Sequence, residues 1–212
     1  MSKKVVIINA GPRKNMNTDT LLQYAKEGVL ESNHDVIYYD LYRLEKYTGC
    51  ISCFSCKKEK LKGSCIVKDG LHQVLQDIKT ADGLIIGTPN YFGDVTSAFR
   101  ALYERLVFPY LTYNAAKPNC NDKRIKVLLL MTSNAQEGYY ASLMENYQRV
   151  FERFIGDTKV YLCGNTKQVK DYSKLDWEWT YFDIPEKERR HEEVFPKQCL
   201  EVKELGRTLL EE

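Results

Sequence analysis

Asn9-Ala10-Gly11-Pro12-Arg13-Lys14-Asn15-Met16-Asn17-Thr18 decides how the rest of the chain is read. The apolar run Val5-Val6-Ile7-Ile8 precedes it and reads as a short strand buried on both faces. Leu21, Leu22, Ala25, Gly28 and Val29 follow at helical spacing. The element is therefore strand, loop, helix, with Asn17 or Thr18 as the expected N-cap. Such a loop presents free backbone N–H groups and the positive end of a helix dipole, a geometry that binds phosphate. Asn15, Asn17 and Thr18 add neutral donors, and Arg13 and Lys14 add charge. The Walker pattern needs a second Gly followed by Lys and Ser/Thr, where this chain has Met16-Asn17-Thr18. The Rossmann glycine fingerprint is also missing. A monophosphate fits the loop, and an ordinary strand-to-helix turn is the alternative.

Working outward, strands alternate with helical patterns. Val36–Asp40, Gly83–Gly87, Ile125–Met131 and Thr158–Cys163 read as further strands. Asp69 is the expected cap of a helix carrying Leu71, Val74, Leu75 and Ile78. Asp94 is the expected cap of the next, with Ala98, Phe99, Leu102 and Leu106 inward. A helix with Leu143, Met144, Tyr147, Val150, Phe151 and Phe154 follows the fourth strand, and a last helix runs from about Pro196 to Leu210. Five strands alternating with five helices predict an α/β fold with a doubly wound parallel sheet and helices on both faces. Such sheets bind ligands beyond the carboxyl ends of their strands. Three loops of unusual chemistry fall at such ends: Ala10–Thr18, Thr88–Gly93 and Thr132–Gly138.

The chain has 212 residues, 43% hydrophobic and 28% charged, which suits one globular domain over 1–212. A net charge of +2 gives no support for nucleic acid or an anionic membrane as partner. No apolar run approaches a membrane span, and Met1-Ser2-Lys3-Lys4-Val5 lacks the pattern of a signal peptide, so a cytoplasmic location is expected. His34, His72 and His191 are scattered, and no general acid or base is evident, so no catalytic side chain is assigned. Residues 164–196 read as an irregular, polar and aromatic insertion with Trp177, Trp179, Tyr181 and Phe182, either a partner surface or a lid.

Residues 41–68 form a long irregular stretch holding Gly49-Cys50-Ile51-Ser52-Cys53-Phe54-Ser55-Cys56 and then Cys65. The pattern is C-x2-C-x2-C-x8-C. In a reducing compartment, such a local cluster points to metal or redox chemistry rather than a disulfide framework. Cys50, Cys53, Cys56 and Cys65 suit a [4Fe–4S] cluster or zinc, with free or disulfide-paired thiols as the alternative.

With these residues in view, the chain resembles the NADPH-dependent FMN reductase-like branch of the flavodoxin-like superfamily. Such proteins carry Gly-Ser-Pro-Arg-Lys-x-Gly-Asn-Thr after the first strand, where this chain has Ala10 to Thr18. They carry Pro-x-Tyr-Phe/Trp-Gly after the third, where it has Pro89-Asn90-Tyr91-Phe92-Gly93. The resemblance implies that Gly11, Pro12, Arg13, Lys14, Asn15, Asn17 and Thr18 hold the phosphate of FMN. Pro89 to Gly93 would line the isoalloxazine ring, with Ser133 and Asn134 on the third side. Gly11 replaces the usual Ser, and Met16 the usual Gly, which removes easy access to positive φ.

The resemblance further implies an oxidoreductase that takes electrons from NAD(P)H and passes them through FMN to a small-molecule or protein acceptor, as a homodimer or homotetramer. The cysteine spacing resembles that of the iron–sulfur flavoproteins, whose last gap is usually shorter. That likeness implies a cluster exchanging single electrons with FMN and a ferredoxin-like redox partner. A thiol-based redox-sensing module on the same scaffold is the reading of a different class.

Overall fold

A computed structural model describes residues 1–211. Five parallel strands form one sheet: β1 (Lys4–Asn9), β2 (Asp35–Asp40), β3 (Gly83–Pro89), β4 (Lys126–Thr132) and β5 (Thr158–Cys163). Their spatial order is β2-β1-β3-β4-β5, in register at Val5↔Val36, Val5↔Gly83, Gly83↔Lys126 and Val127↔Thr158. The order reverses between β1 and β3, so a crevice opens there beyond the carboxyl ends of the strands. The doubly wound flavodoxin-like fold expected from the sequence is present.

The helices are α1 (Asn17–Glu31), α2 (His72–Thr80), α3 (Ser97–Val107), α4 (Ala141–Phe154), α5 (Ile184–Glu193) and α6 (Phe195–Arg207). The central strands are continuous apolar runs because both faces are covered: Val5, Val6, Ile7 and Ile8 are all fully buried. On one face Val5, Ile7, Ile85 and Leu128 meet Leu21 and Leu22 of α1 and Cys199 and Val202 of α6. On the other, Val6, Ile8, Leu84, Ile86 and Leu129 meet α2, α3 and α4 through Leu75, Phe99, Leu102 and Phe151. α1 and α6 cross with backbones almost touching. A Cβ on Gly28 would lie 1.9 Å from the Lys203 carbonyl oxygen, and one on Gly206 2.2 Å from that of Ala25.

The structure differs from the sequence reading at several helix ends. Neither Asn17 nor Thr18 is the N-cap of α1. That position is Met16, which offers no side-chain bond, and the Asp19 carboxylate reaches back to the Asn15 N–H at 2.7 Å instead. Thr96, not Asp94, caps α3 by accepting from the Phe99 N–H at 3.2 Å. Asp94 accepts from the Tyr147 hydroxyl at 2.9 Å. Asp69 lies ahead of α2 and accepts from the Leu71 N–H at 3.1 Å, while its second oxygen meets Arg105. The stretch 164–196 is less irregular than expected, because it contains α5, a sixth helix packed on α6. Its sequence, Ile184-Pro-Glu-Lys-Glu-Arg-Arg-His-Glu-Glu193, has no apolar stripe. Its start was nonetheless marked by Asp183 as N-cap and by a proline in the first turn.

Candidate functional site

The three loops named by the sequence meet at the β1/β3 crevice and are tied to one another. The Ala10 N–H donates to Gly87 of β3 at 2.8 Å, and the Thr96 hydroxyl donates to the Ala10 carbonyl at 2.7 Å. The Asn90 N–H donates to the Thr132 carbonyl at 2.8 Å, and the Thr18 and Thr132 hydroxyls share a bond of 2.7 Å. The loop carrying Gly11, Pro12, Arg13, Lys14, Asn15, Asn17 and Thr18 is thus tied by hydrogen bonds to the segments around Pro89, Asn90 and Ser133.

The first loop fits an anion. The N–H groups of Arg13, Lys14, Met16, Asn17 and Thr18 have no acceptor among the described residues, and they precede or open α1. Free donors at a helix N-terminus are the elements of a phosphate cradle. The left-handed residue of the loop is Asn15, at φ 54°, whereas Met16 is extended at φ −114° and ψ 174°. The expected loss from replacing the usual glycine at 16 therefore does not arise: Met16 needs no positive φ, and Asn15 is of a type that tolerates it. The Asp19 carboxylate fixes this turn. It also accepts from the Tyr38 hydroxyl at 2.7 Å and the Asn9 amide at 3.4 Å.

The insertion was the part of the site that sequence reasoning missed. Its first residues fold over the phosphate loop: Asn17 donates to the Lys167 carbonyl at 2.7 Å and Arg13 to that of Gln168. Thr166 donates to Ser133, and Asn165 to Ala135, so the same segment holds the third loop. Lys187 of α5, only 2% exposed, donates to the Asn134 carbonyl at 2.6 Å and also to the Asn165 side chain. Burial, with the nearby charge of Arg190, lowers its pKa to about 8. The one sequence signal for this buried ammonium was a lysine on an otherwise solvated helix, which reads as surface. The second loop is open on one side: Tyr91 and Phe92 are exposed, and Phe92 and Gly93 have positive φ. His191 stacks on Phe195 and lines a pocket with Asn17 and Lys167, while His34 accepts from the Lys3 N–H at 3.5 Å.

Cys50, Cys53, Cys56 and Cys65 line one pocket with Phe54, Phe108 and Arg105. Cys50 and Cys53 are exposed, Cys65 is half-buried and Cys56 is buried. The backbone bends sharply through the motif, with Ser52 at φ 54° and Phe54 at φ 57°. Left-handed backbone at a bulky residue costs about 1–2 kcal/mol and is usually held by function. Here it turns the Ser52 N–H toward the Cys50 sulfur at 3.4 Å. Hydrogen bonding from the Ser55 backbone and hydroxyl lowers the Cys53 pKa, while burial raises that of Cys56. Among the described residues no three His, Cys, Asp or Glu side chains gather closely enough to hold one metal ion. The four thiols nevertheless line one pocket, and four thiolates are the donor set that a [4Fe–4S] cluster or zinc would take.

One side chain closes this loop. Arg105 of α3, 1% exposed, donates to the Thr48 carbonyl at 3.2 Å, the Val67 carbonyl at 2.9 Å and the Asp69 carboxylate at 2.6 Å. Burial alone would raise the Asp69 pKa, but the Arg105 hydrogen bond and charge hold it below the usual carboxylate value. Lys57 fastens the loop from the other side through the Leu111 carbonyl at 2.6 Å and the Phe108 ring.

A five-stranded flavodoxin-like sheet with free N–H groups at its switch point defines a doubly wound α/β protein. The particular family follows from comparison with known proteins. A family model described as NADPH-dependent FMN reductase matches residues 3–145, and the chain belongs to that family. An iron–sulfur flavoprotein of Archaeoglobus fulgidus is 36% identical over 104 residues, covering 48% of each chain. One of Methanocaldococcus jannaschii is 34% identical over 102 residues, covering 48% of this chain and 51% of its own. The chain thus spans about half the length of the curated relatives it matches. Among solved structures, an NAD(P)H:quinone oxidoreductase from Methanothermobacter marburgensis superposes with a TM-score of 0.70 at 16% identity, covering 100% of this chain and 99% of its own. An FMN-dependent NADH-azoreductase from Bacillus anthracis, in complex with FMN, gives 0.68 at 15% identity, covering 98% and 99%. At such identities the likeness shows the fold. No helix among the described residues is long and apolar enough to cross a membrane.

Proposed function

We propose that this chain is an FMN-dependent oxidoreductase that takes electrons from NAD(P)H and delivers them to a small-molecule or protein acceptor. The observation that carries the reading is the set of five free N–H groups on the loop that opens α1, a loop hydrogen-bonded to Gly87 of β3 and Thr132 of β4. Family membership supports FMN as the ligand of that crevice. FMN, when bound, supplies the hydride and single-electron chemistry, and the protein supplies position and electrostatics. In this reading the N–H groups of Arg13 to Thr18 and the Thr18 hydroxyl hold the phosphate. Arg13 and Lys14 balance its charge. The Pro89–Gly93 backbone and the Tyr91 and Phe92 rings flank the flat ring system, and Ser133 and Asn134 close the third side. No side chain is needed as general acid or base.

A second reading, in which a four-cysteine [4Fe–4S] cluster accompanies FMN, is favoured by the common cavity of Cys50, Cys53, Cys56 and Cys65 and by the Ser52 N–H on the Cys50 sulfur. The relatives whose names carry both groups support it. The cluster would supply one-electron transfer, and a ferredoxin-like partner would then serve as donor or acceptor. Assembly as a homodimer or homotetramer and a cytoplasmic location belong to the same proposal.

Anaerobic purification with an absorption spectrum, flavin extraction and iron and sulfide analysis tests both. FMN with NAD(P)H oxidation supports the first reading. FMN with about four irons per chain supports the second. A protein that takes up neither, even with added FMN, sinks both and leaves the thiol-based module.

A further inference from the structure

Arg105 is among the largest fully buried side chains of the protein, and it lines the cysteine cavity. A buried guanidinium persists only when its charge and its donors are answered. Three of its bonds are accounted for by Thr48, Val67 and Asp69. The two carbonyls lie two residues before Cys50 and two residues after Cys65, so one side chain clasps both necks of the motif. Its Nε–H is different, because it is buried and has no partner among the described residues. Cys65 lies within interaction range of the same guanidinium. Lys57, next to Cys56 in sequence, is turned away, its ammonium donating to the carbonyls of Phe108 and Leu111. Lys57 and Lys58 add charge near Cys56 and Cys53, but Arg105 is the buried cation lining the cysteine pocket, and its Nε–H has no partner among the described residues.

We propose that Arg105 sets the reduction potential of the cluster held by Cys50, Cys53, Cys56 and Cys65, through its free Nε–H and its charge. This rests on the iron–sulfur reading above. Cluster potentials respond to hydrogen bonds on the sulfurs, to local net charge and to solvent exposure. Reduction adds one electron, supplied by the flavin or a ferredoxin-like donor, and breaks no bond. The added negative charge is stabilised by a donor and a cation beside it, so Arg105 raises the potential. Asp69 acts with the opposite sign, because its carboxylate offsets part of that charge at 2.6 Å. The clasp is thus a balanced pair whose two halves move the potential in opposite directions.

The test uses the full chain, purified anaerobically, loaded with FMN and reconstituted with iron and sulfide. A redox titration followed by absorbance and by electron paramagnetic resonance reads the cluster potential. Arg105→Lys keeps the charge but loses the Nε donor and the fork, and the potential becomes more negative. Arg105→Gln also removes the charge and moves further the same way. Asp69→Asn removes the counter-charge, and the potential becomes more positive. The flavin spectrum reports whether each variant is folded. If the arginine variants fail to hold iron, the sign of the Asp69→Asn shift decides alone.

Equal potentials, or shifts of the same sign in Asp69→Asn and Arg105→Lys, would overturn the proposal. Loss of FMN or iron in both would make the clasp a folding element only, and would overturn it as well. Wild-type protein that binds FMN but no iron refutes the cluster reading itself and this proposal with it. That outcome is told apart from the others because it appears before any substitution is made.

Discussion

Lys187 gives the sharpest test of how the insertion holds the third loop. Its ammonium is buried, donates to Asn134 and lies 5.4 Å from the Phe182 ring centre. Burial lowers its pKa from the ordinary 10.5 to about 8. Between these values the unfolded chain holds a proton on this lysine that the folded protein has released. Unfolding is therefore favoured at the acidic end of the window, and stability rises with pH through it. With those two values the penalty is about 3 kcal/mol at about pH 8 and about half of that at about pH 9.5.

Urea unfolding followed by circular dichroism, at several pH values across that window, measures the effect in wild type and in Lys187→Met. Subtracting the two curves cancels the other lysines, tyrosines and thiols that titrate there. The expected difference is a gain of about 1–2 kcal/mol for wild type relative to the variant between about pH 8 and about pH 9.5. The fixed offset between the two proteins is a separate matter of lost hydrogen bonds to Asn134 and Asn165. Parallel curves would mean that the ammonium is hydrated, and that α5 does not seal the loop as described.

The remaining predictions concern the cradle and the helix crossing. Asn15→Ala should lower stability by about 1 kcal/mol through its left-handed backbone, a fall in Tm of about 2–4 °C, while Asn15→Gly should stay within about 0.5 kcal/mol; thermal unfolding of both variants checks this. Arg13→Ala should weaken FMN binding by about tenfold, the loss of one charge-assisted hydrogen bond, and leave riboflavin binding unchanged, as read by flavin fluorescence. Gly28→Ala should lower stability by about 1–3 kcal/mol in denaturant unfolding. Its Cβ would meet the Lys203 carbonyl at 1.9 Å, and that strain exceeds the roughly 1 kcal/mol gained in helix propensity.

The sheet was legible because its central strands are short apolar runs whose two faces are both covered by helices. Val5–Ile8 and Val127–Leu130 carry that pattern without help from distant residues. The loops at the strand ends were legible for the same reason, since a strand-to-helix turn fixes where its N–H groups point. Caps were less so. Asp69, Asp94 and Thr18 all have capping chemistry, but each was claimed by a partner far along the chain: Arg105, Tyr147 and Thr132. A sequence window does not contain those partners. Helix α5 escaped for a related reason. Its stability comes from caps and charge pairs such as Arg189 with Glu186 and Glu193, so it lacks the periodicity by which helices are found. Lys187 escaped because nothing local marks one lysine among several as the buried one. The clasp by Arg105 joins residues 48, 67, 69 and 105, a set that only the folded chain brings together.

That clasp bears on engineering. The cysteine loop, residues 41–68, has the form of a cassette to be moved onto any relative with the same sheet. Its anchors lie outside it, however, at Asp69 and on α3. The other end of α3 is fastened to the phosphate loop through the Thr96 hydroxyl, about 13 Å from Arg105 at 1.5 Å per residue. Transplanting the loop alone would carry four thiols without the guanidinium that joins its ends. The smallest graft that brings both Arg105 and the partners of Lys57 is 41–111, and a recipient must already present an Ala10-like carbonyl to receive it.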